Sequence, residues 1–313
     1  MKNQLKLSAL AIAIASSTSA FAAAPAASLE EAFTDGDASL SFRYRYEFVD
    51  QDGLDKESHS STLKTRLNYK TKQYQNATAF VEFDNTTEVI SGYSFKDPGK
   101  PVVADPKYTE VNQAYLDYAA PADTLVRYGR QRILLDNQRF VGGVGWRQNE
   151  QTYDAFTLVN KSLPDTTIAL TNITNVNDIF GNNLNGEDHQ LVNIKNQSLS
   201  FGTISAYAYL LDEYKGVDDT YGLRFSGSAD LDSLSLLYTA EYATQEAGDA
   251  EADYYVAELG AKVAGVTAKL GYEVLGSDDG NYGFQTPLGT NHKFNGWADK
   301  FLSTPADGLE DTY

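Results

Sequence analysis

Cysteine is absent from the 313-residue chain. Disulfide bonds, thiolate metal sites and cysteine nucleophiles are therefore excluded by composition. Histidine is scarce, with only His59, His189 and His292, and in the predicted strand map these lie in loops or at strand ends. An enzyme that depends on a histidine base has few places to form its site, so we predict no enzymatic activity. A barrel enzyme is the minor alternative.

Long hydrophobic runs are also missing. No segment after the N-terminus approaches about 18 consecutive apolar residues, the length that a membrane-spanning helix needs, and the mean hydropathy is −0.40. Transmembrane strands fit this composition, because only every second residue of such a strand faces lipid. The 21 tyrosines and 15 phenylalanines, against 2 tryptophans, also favour strands.

Positive charge is in deficit: 25 Lys and Arg face 43 Asp and Glu, a net charge of −18. A chain this acidic is poorly suited to binding nucleic acid.

Lys2 and Lys6 precede a short apolar run at 7–15, and Ala20-Phe21-Ala22 fits a cleavage site. We predict a secretory signal peptide over 1–22. An uncleaved membrane anchor is the alternative, but the run is too short to span a bilayer.

Strict alternation is the strongest pattern in the chain. From Leu40 to Phe48 every even position is apolar or aromatic and every odd position is polar or charged, which predicts a strand with one apolar face and one wet face. Thirteen segments fit such strands: 38–48, 61–72, 77–84, 111–118, 124–130, 152–160, 166–174, 189–195, 202–211, 220–228, 234–243, 253–263 and 266–275. Short turns alternate with long loops between them, as in outer-membrane barrels with periplasmic turns.

We therefore predict an all-β fold, a transmembrane antiparallel β-barrel over 38–313, preceded by a flexible lead-in at 23–37. Residues 311–313 begin a fourteenth strand. An open sheet would leave edge groups unsatisfied in lipid, so we expect the chain to be a fragment of a barrel of roughly 16 to 18 strands. A soluble open sheet is the alternative.

The alternation also assigns side chains to faces. The outward face is predicted to carry Phe42, Tyr44, Leu67, Tyr69, Leu223, Leu270 and Tyr272. The lumen is predicted to carry Ser41, Arg43, Arg45, Glu47, Lys64, Arg66, Asn68 and Lys70, the cations Arg127, Lys195, Arg224, Lys262 and Lys269, and the carboxylates Glu82, Asp84, Asp117, Asp154, Glu241, Glu258 and Glu273. A basic lumen would select anions. Alternatively, these cations pair with the carboxylates and hold the barrel in shape.

The segment 130–150 combines four arginines, a glycine cluster and apolar residues that a solvated loop would not favour. A loop folded into the lumen would satisfy both kinds of residue, with apolar groups against the wall and arginines facing the pore. The phosphate-binding pattern GxxxxGK[ST] is absent.

A separate acidic segment contains Asp50, Asp52 and Asp55. These residues do not follow the EF-hand order, so we predict a solvated acidic loop and no metal site. Divalent bridging from this loop to lipopolysaccharide is the alternative.

Several segments carry a family resemblance: 128–131 (YGRQ), 135–142 (LDNQRFVG), 145–149 (GWRQN), 152–155 (TYDA) and 292–301 (HKFNGWADKF). Together they resemble the alginate-export-type porins of Gram-negative outer membranes, and the similarity covers most of the mature chain. The resemblance implies a monomeric barrel, surrounded by outer-membrane lipid and lipopolysaccharide, whose arginine-rich lumen passes an anionic polyuronate. It does not single out alginate.

The predicted function is passive transport of small anionic or sugar-like solutes, of the uronate or organic-acid type, without a cofactor. A barrel with a structural or adhesin role is the alternative. The candidate pore-lining or solute-binding residues are Arg43, Arg45, Lys64, Arg66, Arg127, Arg130, Arg132, Asp136, Arg139 and Arg147.

Overall fold

The computed structural model describes residues 24–90 and 98–313. Fourteen antiparallel strands form one sheet in which β1 to β13 follow chain order and β16 pairs with β13. The elements are α1 (Leu29–Thr34), β1 (Asp37–Val49), β2 (Ser58–Lys70), β3 (Ala77–Glu88), β4 (Tyr108–Ala120), β5 (Thr124–Gln131), β6 (Thr152–Asn160), β7 (Thr166–Asn177), β8 (Asn183–Leu199), β9 (Gly202–Tyr214), β10 (Val217–Leu231), β11 (Leu234–Ala247), β12 (Ala250–Val263), β13 (Val266–Leu275), β14 (Ser277–Asp278), β15 (Tyr282–Gly283), the 3₁₀ turn η1 (Asn291–Lys293) and β16 (Leu309–Thr312).

The predicted all-β fold is confirmed, and each of the thirteen predicted strands overlaps one of β1 to β13. The small hairpin of β14 and β15 was not predicted. The predicted signal peptide lies outside the described residues. Among the described residues no helix has the length and apolar character to cross a membrane.

Short turns join the strands at one end of the sheet. Ala264 and Gly265 connect β12 to β13, and both have positive φ, 49° and 83°. This is the backbone that a two-residue hairpin turn requires, because its twist matches that of the strands. Val263 and Val266 pair directly across it.

The outward face of the sheet is apolar, as predicted. Phe42, Leu223 and Leu270 are 64%, 57% and 66% exposed. Tyr44, Leu67 and Tyr272 are also exposed. The seventh predicted residue, Tyr69, follows Leu67 by two positions and so lies on the same face of β2. It is half-buried, because its hydroxyl donates to the carbonyl of Phe33.

The sheet curls around the loop between β5 and β6. This loop, residues 132–151, is called the inner loop here. It contacts β1 through Arg43 and β13 through Arg139, so the strands near both edges of the sheet turn toward the same segment. The hydrophobic core therefore lies inside the sheet, where Phe140 packs on Tyr207 and Tyr254 with ring centres 5.4 and 5.1 Å apart.

The segment expected to be a flexible lead-in contains helix α1. Ser28 caps its N-terminus by accepting from the Glu31 amide at 3.1 Å. Lys72, in the turn after β2, forms an ion pair with Glu31 at 2.6 Å and donates its backbone amide to the Ala32 carbonyl. The helix is thus fastened to the turn end of the sheet.

We predict that the outward face tolerates charge poorly. Leu223 lies in the middle of β10, so Leu223→Arg should lower the free energy of unfolding by about 3 kcal/mol in lipid vesicles, because an arginine near the bilayer midplane is costly. Ser226, on the opposite face, provides the control Ser226→Arg, for which a much smaller loss is expected. Urea titration of vesicle-inserted protein measures both, and equal losses would contradict the facial assignment.

Candidate functional site

The inner loop first crosses toward β8 and β9 through Asp136. Its carboxylate accepts from the Asn193 amide at 2.7 Å and from the Ser205 hydroxyl at 2.8 Å. Lys195 Nζ lies 3.3 Å from the same carboxylate. Asp136 therefore acts as an acceptor that fixes the loop to the wall, and it also neutralises one wall cation.

The loop next reaches β13 through a buried ion pair. The Arg139 guanidinium is fully buried and donates to both carboxylate oxygens of Glu273, at 2.9 and 3.2 Å. Tyr254 donates a further hydrogen bond to Glu273 at 2.7 Å, and the guanidinium lies 5.0 Å from the Phe294 ring centre. The sequence predicted that Arg139 faces the pore, whereas the structure encloses it between the loop and the wall.

Two arginines of β1 hold the next part of the loop. Arg43 donates to the carbonyls of Gly145, Trp146 and Arg147 at 3.0, 2.6 and 3.1 Å. Arg45 stacks over the Trp146 ring at 4.2 Å from its centre. A planar guanidinium suits both roles because it offers several fixed donors and a flat face.

The far end of the loop closes on β2 through Glu150. Its carboxylate lies 3.0 Å from Arg66 and 3.7 Å from Lys64, and it also accepts from Arg132. Arg66 is shared with Asp84, which accepts two hydrogen bonds from it at 2.7 and 2.6 Å.

Further carboxylates complete this cluster. Arg132 bonds to Glu82 of β3 at 2.5 Å, and Arg45 lies 3.1 Å from Asp105. Arg147 lies 3.2 Å from Glu47 and also pairs with Asp299.

Charge in this cluster is balanced within the described residues. Five cations pair with six carboxylates: Arg45, Lys64, Arg66, Arg132 and Arg147 with Glu47, Glu82, Asp84, Asp105, Glu150 and Asp299. Arg43, which bonds to loop carbonyls, is the sixth cation. Arg45, Lys64 and Arg147 are buried. We call this set the paired cluster, and its geometry is that of a clamp between the inner loop and strands β1 to β3.

Sequence reasoning missed the contribution of the segment after β15. His292 stacks on Trp146 with ring centres 4.2 Å apart, and its Nδ1 lies 2.6 Å from Asp299. Trp297 approaches Trp146 edge-on. The residues 292–301 had appeared only as part of the family resemblance, because nothing in the local sequence indicates that they meet the inner loop.

The structure corrects the facing of two residues. Arg130 follows Tyr128 by two positions, so both side chains lie on the same face of β5. Tyr128 is 67% exposed on the outward face. Arg130 forms an ion pair with Asp154 at 2.8 Å, in direct register across β5 and β6. Both had been placed in the lumen, but on β6 the inward positions belong to Tyr153 and Ala155, which pack inside the sheet. Arg130 and Asp154 therefore lie on the outer side.

Away from the paired cluster, a second group of cations lines the wall from β8 to β13. Arg224 pairs with Glu241, and Lys269 lies 2.7 Å from Glu258. The Lys195 and Lys269 side chains are 35% and 45% exposed. Lys293, which donates to the Asn137 carbonyl at 3.0 Å, has a pKa lowered by burial and by Arg224 and Lys269 nearby.

Two adjoining clefts open between these cations, with volumes of about 210 and 310 Å³. Both are lined by Ser226, and their other walls combine hydroxyl and amide groups with the two lysines and Arg224, the carboxylates of Asp136 and Glu258, and the apolar side chain of Leu237. The lining residues include Gln197, Thr203, Ser205, Ser228 and Thr239. We call this surface the cleft wall.

Arg127 extends the lumen charge toward β4. Its guanidinium bonds to both oxygens of Asp117 at 2.6 and 2.8 Å and stacks on Tyr115, 3.8 Å from the ring centre. Its side chain is about a quarter exposed. The sequence placed it in the lumen, and the parity of β5 agrees, since Arg127 points opposite to Tyr128.

A sequence profile of the alginate export family matches residues 36–276. This chain belongs to the alginate export family. The matched region runs from β1 to β13 and contains the whole inner loop with most of its partners. No curated protein sequence matches the chain at a significant level.

Solved structures of outer-membrane porins share the fold. Pseudomonas aeruginosa OccK8 (OprE) has a TM-score of 0.65 at 12% identity, covering 78% of this chain and 69% of that chain. P. aeruginosa OpdK with vanillate has a TM-score of 0.62 at 11% identity, covering 77% and 67%. Acinetobacter baumannii OccAB3 has 0.62 at 13% identity, covering 77% and 67%. Family and fold together indicate an outer-membrane channel for small solutes.

Glu150 gives a pH-dependent prediction. Burial alone would raise the pKa of its carboxyl, but the positive charges of Arg66, Arg132 and Lys64 outweigh burial and lower the pKa to about 2, from an ordinary value of 4.5. The unfolded chain therefore binds the proton first as the pH falls. The stability that Glu150 contributes should be complete above about pH 4.5 and should be lost between pH 4.5 and 2.

Glu150→Gln should reduce this acid slope and lower the free energy of unfolding at pH 7 by about 3 kcal/mol, because it leaves buried cations uncompensated. Glu246→Gln, at an exposed position of β11, is the matched control and should change neither. Urea unfolding between pH 2 and 7 measures both quantities. An unchanged acid slope in the Glu150 variant would contradict the assignment.

The buried pair of Arg139 and Glu273 should behave as a unit. Arg139→Met should cost about 3 kcal/mol, because it leaves the Glu273 carboxylate buried without its cation. The double variant Arg139→Met/Glu273→Leu should recover a large part of that loss. A double-mutant cycle measured by urea unfolding tests this, and strictly additive losses would mean that the two residues act independently.

Proposed function

We propose that the protein conducts small anionic or sugar-like solutes, of the uronate or organic-acid type, across the outer membrane by passive diffusion. The observation that carries this proposal is the cleft wall. Its Lys195 and Lys269 side chains reach water, and they are surrounded by hydroxyl and amide groups and by the carboxylates of Asp136 and Glu258. Such a surface offers weak charge-assisted hydrogen bonds to a carboxylate and ordinary hydrogen bonds to sugar hydroxyls.

The two cation groups have different roles in this proposal. The paired cluster is neutral and largely buried, so its arginines position the inner loop and shape the constriction. On the wall, the Lys195 and Lys269 side chains are more exposed than the carboxylates that they pair with, Asp136 and Glu258. Exposed cations in a low-dielectric channel attract anions and repel cations.

The similar OpdK structure was determined with vanillate, which is a carboxylate. This supports a carboxylate-bearing solute as the class to test here. Conduction requires contacts that are favourable but weak, so that a solute passes from one cation to the next. Partial neutralisation of each wall lysine by a neighbouring carboxylate suits that requirement.

The proposal predicts anion preference. In bilayers with a salt gradient, the reversal potential should indicate anion selectivity, and Lys195→Gln/Lys269→Gln should shift it toward zero. Screening limits the reach of each charge to about 8 Å at physiological salt, so a cation in an exposed turn should have little effect on the reversal potential. Lys161→Gln, in the turn between β6 and β7, is the control with the same charge change per residue. Cation preference in the parent, or an equal shift in the control, would contradict the proposal.

A further inference from the structure

Helix α1 exposes two large apolar side chains on one side. Leu29 and Phe33 are 60% and 55% exposed. Residues four apart in a helix share a face. Ala32, between them in sequence, is 2% exposed and packs against the sheet. The short helix is therefore amphipathic, with an apolar side that no described residue covers.

The helix is held in one position. Lys72 Nζ lies 2.6 Å from Glu31 and 3.6 Å from Asp35, while its backbone amide donates to the Ala32 carbonyl at 2.9 Å. The Ala26 amide donates to the Gln73 carbonyl at 2.8 Å. These contacts fasten both ends of α1 to the turn between β2 and β3.

The apolar side of α1 continues the outward face of the sheet. The Tyr69 hydroxyl donates to the Phe33 carbonyl, and Tyr69 lies on the outward face in register with Ala38. The exposed Leu40 and Leu67 form the next pair along the same face. Phe33 thus lies where the apolar belt ends, at the turn end of the barrel.

We propose that α1 is an interfacial membrane anchor whose Leu29 and Phe33 side chains enter the boundary between headgroups and acyl chains, in the leaflet at the turn end of the barrel. The partner is lipid, because the apolar side is continuous with a face that lipid already covers. Charged residues on the other sides of the helix remain in water or pair with Lys72, as in amphipathic helices that lie in a membrane interface. This inference goes beyond solute transport and requires only that the sheet sits in a membrane.

The absence of cysteine makes a direct test simple. Single variants Phe33→Cys and Leu29→Cys carry an environment-sensitive NBD label, and the protein is reconstituted in phosphatidylcholine vesicles. Leu40→Cys, in the belt, is the positive control. Glu30→Cys, an exposed position on α1 away from the apolar side, is the negative control.

Labels at Phe33 and Leu29 should emit at shorter wavelength than the label at Glu30, and lipids with a shallow nitroxide on the acyl chain should quench them several-fold more strongly. Quenching at Phe33 no greater than at Glu30 would overturn the proposal. A short-wavelength emission without quenching by nitroxide lipid would also overturn it, because it would mean that protein, and not lipid, covers the apolar side.

Discussion

Pairing of guanidinium groups with carboxylates inside the curved sheet is the interaction on which this structure depends. The inner loop carries arginines, which are stable in water, and apolar side chains, which are more stable away from water. Placing the loop inside the sheet buries the apolar groups, and this is possible only because Arg139 meets Glu273 and Arg147 meets Glu47 and Asp299. An unpaired charge at the same depth would be strongly destabilising.

Under the proposed function, the same pairing separates the residues that hold the inner loop from those that attract the solute. A neutral, buried cluster gives little net field in the channel, and salt screens it weakly because it is shielded from solvent. It can therefore hold the inner loop in place under changing ionic conditions. The lysines of the cleft wall are more exposed, so under the proposed function their attraction for an anionic solute would weaken as the ionic strength rises.

The alternation of side chains predicted the strands because the period of two residues is imposed by the backbone itself. It predicted the facing of charged groups less well, because the rule that polar side chains face the lumen holds only where the lumen contains water. Tyr153 and Tyr207 face inward, where the inner loop has replaced water with apolar contacts. On β6 this inverts the pattern and places Asp154 outside.

Pairing between distant segments left even less trace in the sequence. The four arginines of segment 130–150 were visible, but the partners of Arg139 and Arg147 were not, since Glu273 and Asp299 lie more than a hundred residues away. Which carboxylate pairs with which arginine depends on how strongly the sheet curves between the two segments. The local sequence pattern contains no information on that curvature. Helix α1 was not predicted for a simpler reason: its six residues are too few to show a helical period of apolar positions.

The enclosed position of the inner loop also constrains the order of assembly. From β1 to β13, consecutive strands are joined either by short turns or by loops no longer than the inner loop, so each pairing closes a comparatively small loop of chain. The contacts of Arg139 with Glu273 and of Arg147 with Asp299 span 134 and 152 residues, and closing such long loops costs more chain entropy. These contacts should therefore form after the hairpins, when the later strands come round a loop already seated on the earlier ones.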